Sequence, residues 1–349
     1  MGTGGKFMTP VPWRELDMYS PIVFRCLLAV LGVVLWAAAT SPCRAGMVSL
    51  TFDDGLSSVY SEAYPVLKRH NLKATVGMVV NRITSGNDDY ISLQEAHELQ
   101  DAGWEIASHG LTHQRPIDIP QYFEDEVVEG WEPDGTNAEV YEAKYDYHSV
   151  AGLLENGKPL KEFTRLEDVR RAKGSFYFDR LIGALHVHPF NPMNAEREDI
   201  RSYSYQRELC ESKIALEKLG FKISTYITPF NYWTEEMASL SKLYYSQVAN
   251  GKNMANRKET CDLNWLYRFN VLSMGKTQDA VRLIQKHAVE QDEWVIFCLH
   301  GIEDEMGWEP WSADNLEELA AWLQKNQIRV VTVSEGAALY SSVPQARRR

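Results

Sequence analysis

Met47-Val48-Ser49-Leu50-Thr51-Phe52-Asp53-Asp54-Gly55 is an apolar run that stops on two carboxylates and a glycine. The run is long enough for a strand and too short for a helix, so it reads as a buried strand followed by a turn. The same construction recurs along the chain. Strands are expected at Met47–Phe52, Ala74–Val80, Trp104–Ser108, Ile223–Thr228, Ser246–Ala249, Leu266–Val271, Trp294–Leu299 and Arg329–Val333. Helical patterns fall between them at about 58–70, 92–102, 205–219, 234–242, 277–290 and 314–326. Ser92 with Glu95 reads as a capping box, and Gly103 and Gly220 as helix stops. Seven or eight strand–helix units in series predict an α/β fold closed into a complete or distorted parallel barrel.

The regularity fails between about Pro116 and Tyr203. A structureless loop of that length is improbable inside a compact domain, so an inserted subdomain is expected there, bordering the barrel mouth. The expected organisation is an N-terminal targeting segment over 1–45, a barrel over 46–340 interrupted at about 116–203, and a solvated basic tail over 341–349. The targeting segment rests on Arg25, the apolar run 27–39 and the small-x-small site Cys43-Arg44-Ala45, with Met18 as an alternative start. It implies an exported protein, periplasmic or secreted, or one held to a membrane if the segment stays uncleaved.

The 349 residues carry a formal charge of −12 and no basic stripe, which argues against a nucleic-acid partner and makes a strongly anionic polymer a poor substrate. Cys210, Cys261 and Cys298 remain after such a segment is removed, too few for a disulfide framework. Cys298 sits in an apolar strand and reads as a buried small residue.

In a parallel barrel, reactive side chains gather at the C-terminal ends of strands. Asp53 and Asp54 follow the first expected strand, His109 and His113 the third, Pro229-Phe230 the fourth, and His300 the one ending at Leu299. Asp54, His109 and His113 offer one oxygen and two nitrogens, with the histidines spaced to share a face on a helical turn. Three protein ligands leave a position for water, the pattern of a catalytic divalent ion. Zinc is the default for these donors, and cobalt, nickel or iron fit the same set. Asp53 points away from Asp54 along an extended backbone and suits a general base. His300, expected opposite Asp53 across the mouth, suits the acid that protonates a leaving amine. A backbone N–H near Phe230 suits a developing oxyanion.

These residues resemble the polysaccharide deacetylase family, carbohydrate esterase family 4. Its first motif resembles Thr51-Phe52-Asp53-Asp54-Gly55, its second Ser108-His109-Gly110-Leu111-Thr112-His113, and its last Leu299-His300. The resemblance implies a distorted (β/α)7 barrel and removal of N- or O-acetyl groups from a carbohydrate. It also implies a metal held by Asp54, His109 and His113, with Asp53 as base and His300 as acid. The middle motifs depart from the family. Tyr226-Ile227-Thr228-Pro229-Phe230-Asn231 lacks the arginine that usually opens the third motif, and the fourth is only approximated by Asp262-Leu263-Asn264-Trp265. Arg268, near a strand, is the candidate to replace that arginine at Asp53, and is grouped with Pro229 and Phe230 as a candidate substrate-binding residue.

His186 and His188 look like a metal pair, but they share no other ligand, so a surface or packing role is expected. His70, His97, His148 and His287 receive the same reading. Trp233, Trp308 and Trp311 could stack on sugar faces or pack in the core. The expected partner is an acetylated glycan. Alternatives are a deacylase or deformylase of a lipid-linked sugar or small amide, and a barrel that binds carbohydrate without turning it over.

Overall fold

β1 (Met47–Phe52) is buried at every residue because it lies in a parallel sheet covered on both faces. The structure is a computed structural model that describes Gly2 and residues 46–113, 126–147, 150, 152–191 and 200–341. The apolar run 27–39, Met18, Cys43-Arg44-Ala45, His148 and the terminal arginines lie outside the described residues. Among the described residues no helix is long and apolar enough to cross a membrane.

β2 (Thr75–Met78) and β3 (Glu105–Ser108) follow β1 in the chain and extend the sheet in parallel, β1 to β2 and β2 to β3. Past β3 the chain leaves the barrel and builds two small sheets. β4 (Glu126–Val127), β5 (Glu132–Asp134), β6 (Asn137–Lys144), β7 (Gly152–Glu155), β8 (Lys158–Pro159), β9 (Lys161–Glu162), β10 (Ser175–Asp179), β11 (Ala184–His188) and β12 (Ile200–Tyr203) are shared between them. Their orders are β5-β6-β11-β10-β9 and β4-β12-β7-β8. Ala143, Phe176 and Leu185 from the first meet Leu153 and Ile200 from the second in a core of their own.

The chain then returns through β13 (Thr225–Ile227), β14 (Gln247–Asn250), β15 (Leu266–Tyr267), β16 (Phe269–Asn270) and β17 (Trp294–Leu299). The parallel sheet runs β15-β14-β13-β3-β2-β1-β17-β16. Its two ends are consecutive in sequence, separated by Arg268 alone. The eight strands are therefore seven staves, the sixth in chain order split: Leu266 and Tyr267 pair with β14, while Phe269 and Asn270 pair with β17. This is a distorted α/β barrel of the (β/α)7 type, and the split stave is its distortion.

The eighth expected strand, Arg329–Val333, does not form. Only Val330 bridges to Val48, and a helix begins at Val333. β17 takes one edge of β1 along its whole length, and β2 takes the other only at Thr51 and Phe52. One short stretch of edge is left, enough for a bridge and not for a stave.

The expected helices form at 93–101, 205–218, 235–241 and 313–325. Those near 58–70 and 277–290 each contain a five-residue π turn, Val59–Ala63 and Gln285–Val289. Ser92 and Glu95 form the reciprocal capping box. Leu50, Phe52, Val76, Leu99, Leu209, Leu316 and Leu323 belong to the main core that binds sheet to helices.

Candidate metal centre and active site

β1 ends by turning its two aspartates apart. Asp54 has φ of 75° and Gly55 φ of 67°, so the chain leaves the strand through two left-handed residues. Asp53 keeps the inward direction of Thr51, two residues earlier on the same face. Arg268, at the break in the split stave, reaches both. Its Nη1 donates to Asp53 Oδ1 at 2.7 Å and Thr51 Oγ1 at 3.0 Å, and its Nη2 to Asp53 Oδ2 at 2.9 Å and Asn231 Oδ1 at 2.7 Å. Arg268 is fully buried and Asp53 nearly so, with 3% exposed. Burial alone would raise the Asp53 carboxyl, but the charge and fork of Arg268, with help from His109 and His300, hold it below the usual carboxylate range. Removing one partner of such a pair typically costs about 3–5 kcal/mol, because the other charge is left buried and unpaired.

Asp54 meets a different set of groups. Arg82 Nη1 lies 2.8 Å from its Oδ1, His113 Nε2 2.9 Å and His109 Nε2 3.5 Å. None of the three is aligned to donate a hydrogen bond to that buried oxygen.

The histidines converge through a loop. The expected helical turn is absent: residues 109–113 carry no helix, and the chain bends through Gly110 at φ 89° and His113 at φ 64°. The bend brings the rings to 4.9 Å between centroids. His109 Nδ1 is 2.9 Å from the Ile227 carbonyl, which fixes the N–H on that nitrogen and leaves Nε2 with its lone pair toward Asp54. Glu208 holds the rest of the bend. Its Oε2 accepts from the Leu111 N–H at 2.8 Å and the Thr112 N–H at 3.1 Å, and its Oε1 from Thr112 Oγ1 at 2.7 Å. A Cβ on Gly110 would sit 3.1 Å from the same carboxylate, so a side chain there would be strained twice.

Asp54, His109 and His113 bring one ligand atom each within 4.8 Å of one another, as do Asp53, Cys298 and His300. The Asp54 oxygen with no aligned hydrogen bond, the pinned tautomer of His109 and the oxygen–nitrogen–nitrogen donor set fit a divalent ion at the first group. The second holds its own contacts: Cys298 Sγ donates to Asp53 Oδ2 at 3.5 Å. Burial pushes the Cys298 thiol up, out of reach of ordinary deprotonation.

His300 stands beside Asp53, not across the mouth from it. β17 is the immediate neighbour of β1, with Phe52 opposite Leu299, because the barrel closes by placing its last full stave against its first. His300 Nδ1 is buried with no hydrogen-bond partner among the described residues, and Trp308 meets the ring edge-on at 5.1 Å. Burial lowers its pKa, against the pull of Asp53 and Asp54. Asp53, Asp54, His109, His113, Phe230, Asn231, His300 and Trp308 line one cavity of about 340 Å³.

The other candidates fall as follows. Phe230 is exposed at the rim, 4.7 Å from His113 by ring centroids, and both it and Asn231 have positive φ. Pro229 is buried behind it. Arg268 cannot touch substrate at zero exposure, so its place is with Asp53 and not with the substrate-binding residues. Asp262 caps a short turn by accepting from the Asn264 N–H, and with Trp265 lines a separate cavity. Trp233 and Trp311 are buried. His186 and His188 lie on β11, outside the barrel sheet. Sequence reasoning did not reach Glu208, Arg82 or Asn231. Glu208 and Arg82 carry no local signal, while Asn231 is the next residue after Pro229-Phe230.

Residues 41–152 match the family model described as polysaccharide deacetylase. A stretch of 66 residues, 19% of this chain and 23% of the relative, is 38% identical to the "Putative polysaccharide deacetylase YxkH" of Bacillus subtilis (strain 168). The match thus spans about a quarter of that relative's length. Among solved structures, the Xyl-CE4 domain of a multidomain xylanase from the hindgut metagenome of Trinervitermes trinervoides is similar at 14% identity. The alignment covers 86% of this chain and 94% of that one, with a TM-score of 0.45. The family 4 carbohydrate esterase from Streptomyces lividans in complex with acetate is similar at 12% identity, 83% and 95% coverage and a TM-score of 0.42.

Proposed function

We propose that this chain, which belongs to the polysaccharide deacetylase family, is a metal-dependent hydrolase that removes N-acetyl groups from a carbohydrate. The observation that carries this reading is the convergence of Asp54, His109 and His113 beside an ionised, arginine-held Asp53. A divalent ion held by those three residues, zinc by default, would supply a Lewis acid that makes water a nucleophile near neutral pH.

The chain's own residues supply the proton transfers. The Asp53 carboxylate takes the proton from the attacking water as the new C–O bond forms at the acetyl carbon. Arg268 fixes the direction of that carboxylate and holds it ionised. His300 delivers a proton to the sugar nitrogen as the C–N bond breaks, so the products are acetate and a free amine. Phe230 and Trp308 frame the cavity and offer faces suited to a sugar ring. The Arg268 charge that holds Asp53 ionised also makes it a weak base, and proximity compensates by holding the reacting groups in one orientation.

Export to the periplasm or beyond belongs to the same proposal and rests on the apolar run 27–39. The test is acetate release from N-acetylglucosamine oligomers, before and after chelation and after adding zinc back. Release that stops with chelator and returns with zinc supports the reading. Protein that binds zinc stoichiometrically and releases no acetate from any acetylated glycan would instead be a binding barrel.

A further inference from the structure

Parallel strands place every loop that follows them on one rim. The loops after β13, β16 and β17 carry Phe230, Leu272, Met274, Met306 and Trp308, with 57%, 47%, 90%, 62% and 51% of their surfaces exposed. Exposed apolar groups gathered on one edge mark a binding surface more often than scattered ones do. Phe230 and Trp308 line the metal cavity, while Leu272 and Met274 border a second hollow. A groove of about 350 Å³ opens beside the metal cavity and is lined by Val271, Leu272, Met274, Leu283, Phe297 and Trp311.

The two hollows share a wall. The Ser273 N–H donates to Glu309 Oε2 at 2.8 Å, and Trp311 Nε1 donates to the Gly275 carbonyl at 2.7 Å. Asn231 on the cavity side donates through Nδ2 to Asn270 Oδ1 on the groove side, at 3.2 Å. Trp308 faces the cavity, and Trp311, three residues on, backs the groove.

We infer that the sugar acted on at this site carries an apolar chain, acyl or isoprenoid, that lies along the rim into this groove. The inference rests on the deacetylase reading. Aromatic faces account for a sugar ring over Phe230 and Trp308. They do not account for methionine and leucine, whose flexible side chains suit an alkyl chain and offer a hydroxylated polymer nothing. Remote apolar contact of this kind strengthens binding without touching the reacting carbonyl, so it acts on KM.

The experiment compares octyl and methyl β-glycosides of N-acetylglucosamine as substrates of the zinc-loaded protein. The octyl glycoside is expected to show a KM about tenfold lower or more, since each buried methylene contributes about fourfold. Met274→Asp and Leu272→Asp, both at exposed positions, should bring the ratio of the two KM values toward one. Hydrolysis of both glycosides with equal KM overturns the inference and leaves the deacetylase reading intact. Equal KM values with co-sedimentation on phosphatidylglycerol vesicles also overturn it, in favour of a membrane-facing rim. If neither glycoside is hydrolysed, the deacetylase reading fails, and calorimetry with the octyl glycoside decides the groove. Binding that Met274→Asp weakens keeps the groove as an apolar-chain site, and absence of binding removes it.

Discussion

The molecule holds two histidine pairs, and only one of them makes a candidate metal centre. His109 and His113 at the barrel mouth turn both rings onto Asp54, a carboxylate delivered by a different strand. His186 and His188 in the inserted sheets are as deeply buried, at 5% and 4% exposed, and each also has an unpaired ring nitrogen. Yet each faces a carboxylate of its own, Glu142 at 3.6 Å and Glu139 at 3.8 Å, and both carboxylates lie at the surface. No cluster of three possible ligands forms around them among the described residues. Burial and histidine spacing are common to the two pairs. What differs is a third ligand, carried at the end of β1, two places along the same parallel sheet from β3.

His113→Ala tests the comparison most severely. It should abolish stoichiometric zinc binding, followed by metal analysis of the purified protein, and lower turnover by about a thousandfold or more. Full turnover without His113 would sink the ligand assignment. Arg268→Ala comes next. It leaves Asp53 buried without its cation, and should cost about 3–5 kcal/mol in urea unfolding near neutral pH. The sign with pH follows from the lowered Asp53 carboxyl. Its stabilising contribution is present above the ordinary aspartate pKa of about 3.9 and disappears as pH falls through the lower folded value. The wild type should therefore lose its advantage over Arg268→Ala in strong acid, and a difference that stays constant with pH would exclude the pair as its source.

Glu208→Ala removes the acceptor of three hydrogen bonds from the His109–His113 bend. A weakening of zinc affinity by about 10- to 100-fold is expected in competition with a chromophoric chelator. His300 gives a smaller, diagnostic effect. Burial lowers its pKa, so the acid form is lost at a pH below the ordinary imidazole midpoint. The kcat/KM profile should fall on its alkaline side from that lowered midpoint, and His300→Asn should remove the limb. The smallest effect belongs to the other pair. His186→Asn with His188→Asn should leave zinc stoichiometry unchanged and kcat/KM within about twofold, at a stability cost of about 1 kcal/mol. A change in stoichiometry there would erase the contrast between the two pairs.

Much of the fold was legible in sequence because it rests on local signals. Seven of the eight expected strands correspond to staves, since a short apolar run bounded by turns and helical patterns has few other uses. Arg329–Val333 misled because it has the composition of a strand, while the number of staves depends on where the sheet closes. The histidine bend was read as a helical turn for a related reason. An i and i+4 spacing suits a helix, but a glycine and a left-handed histidine produce the same convergence without one. His300 was placed across the mouth because neighbours in a closed sheet need not be neighbours in sequence.

Sequence by itself determined the chemical inventory: two adjacent carboxylates at a strand end, a histidine pair, and a histidine after the last long apolar strand. These are local patterns, set by which residue types end which runs. Tertiary structure decided which of them meet. Arg268 reaches Asp53 because the split stave brings residues 215 positions apart into one layer of the barrel. Glu208 holds the histidine bend from a helix 96 positions beyond Thr112. Closure of the sheet makes the first contact and packing of that helix against β3 the second, and no single stretch of the chain contains either.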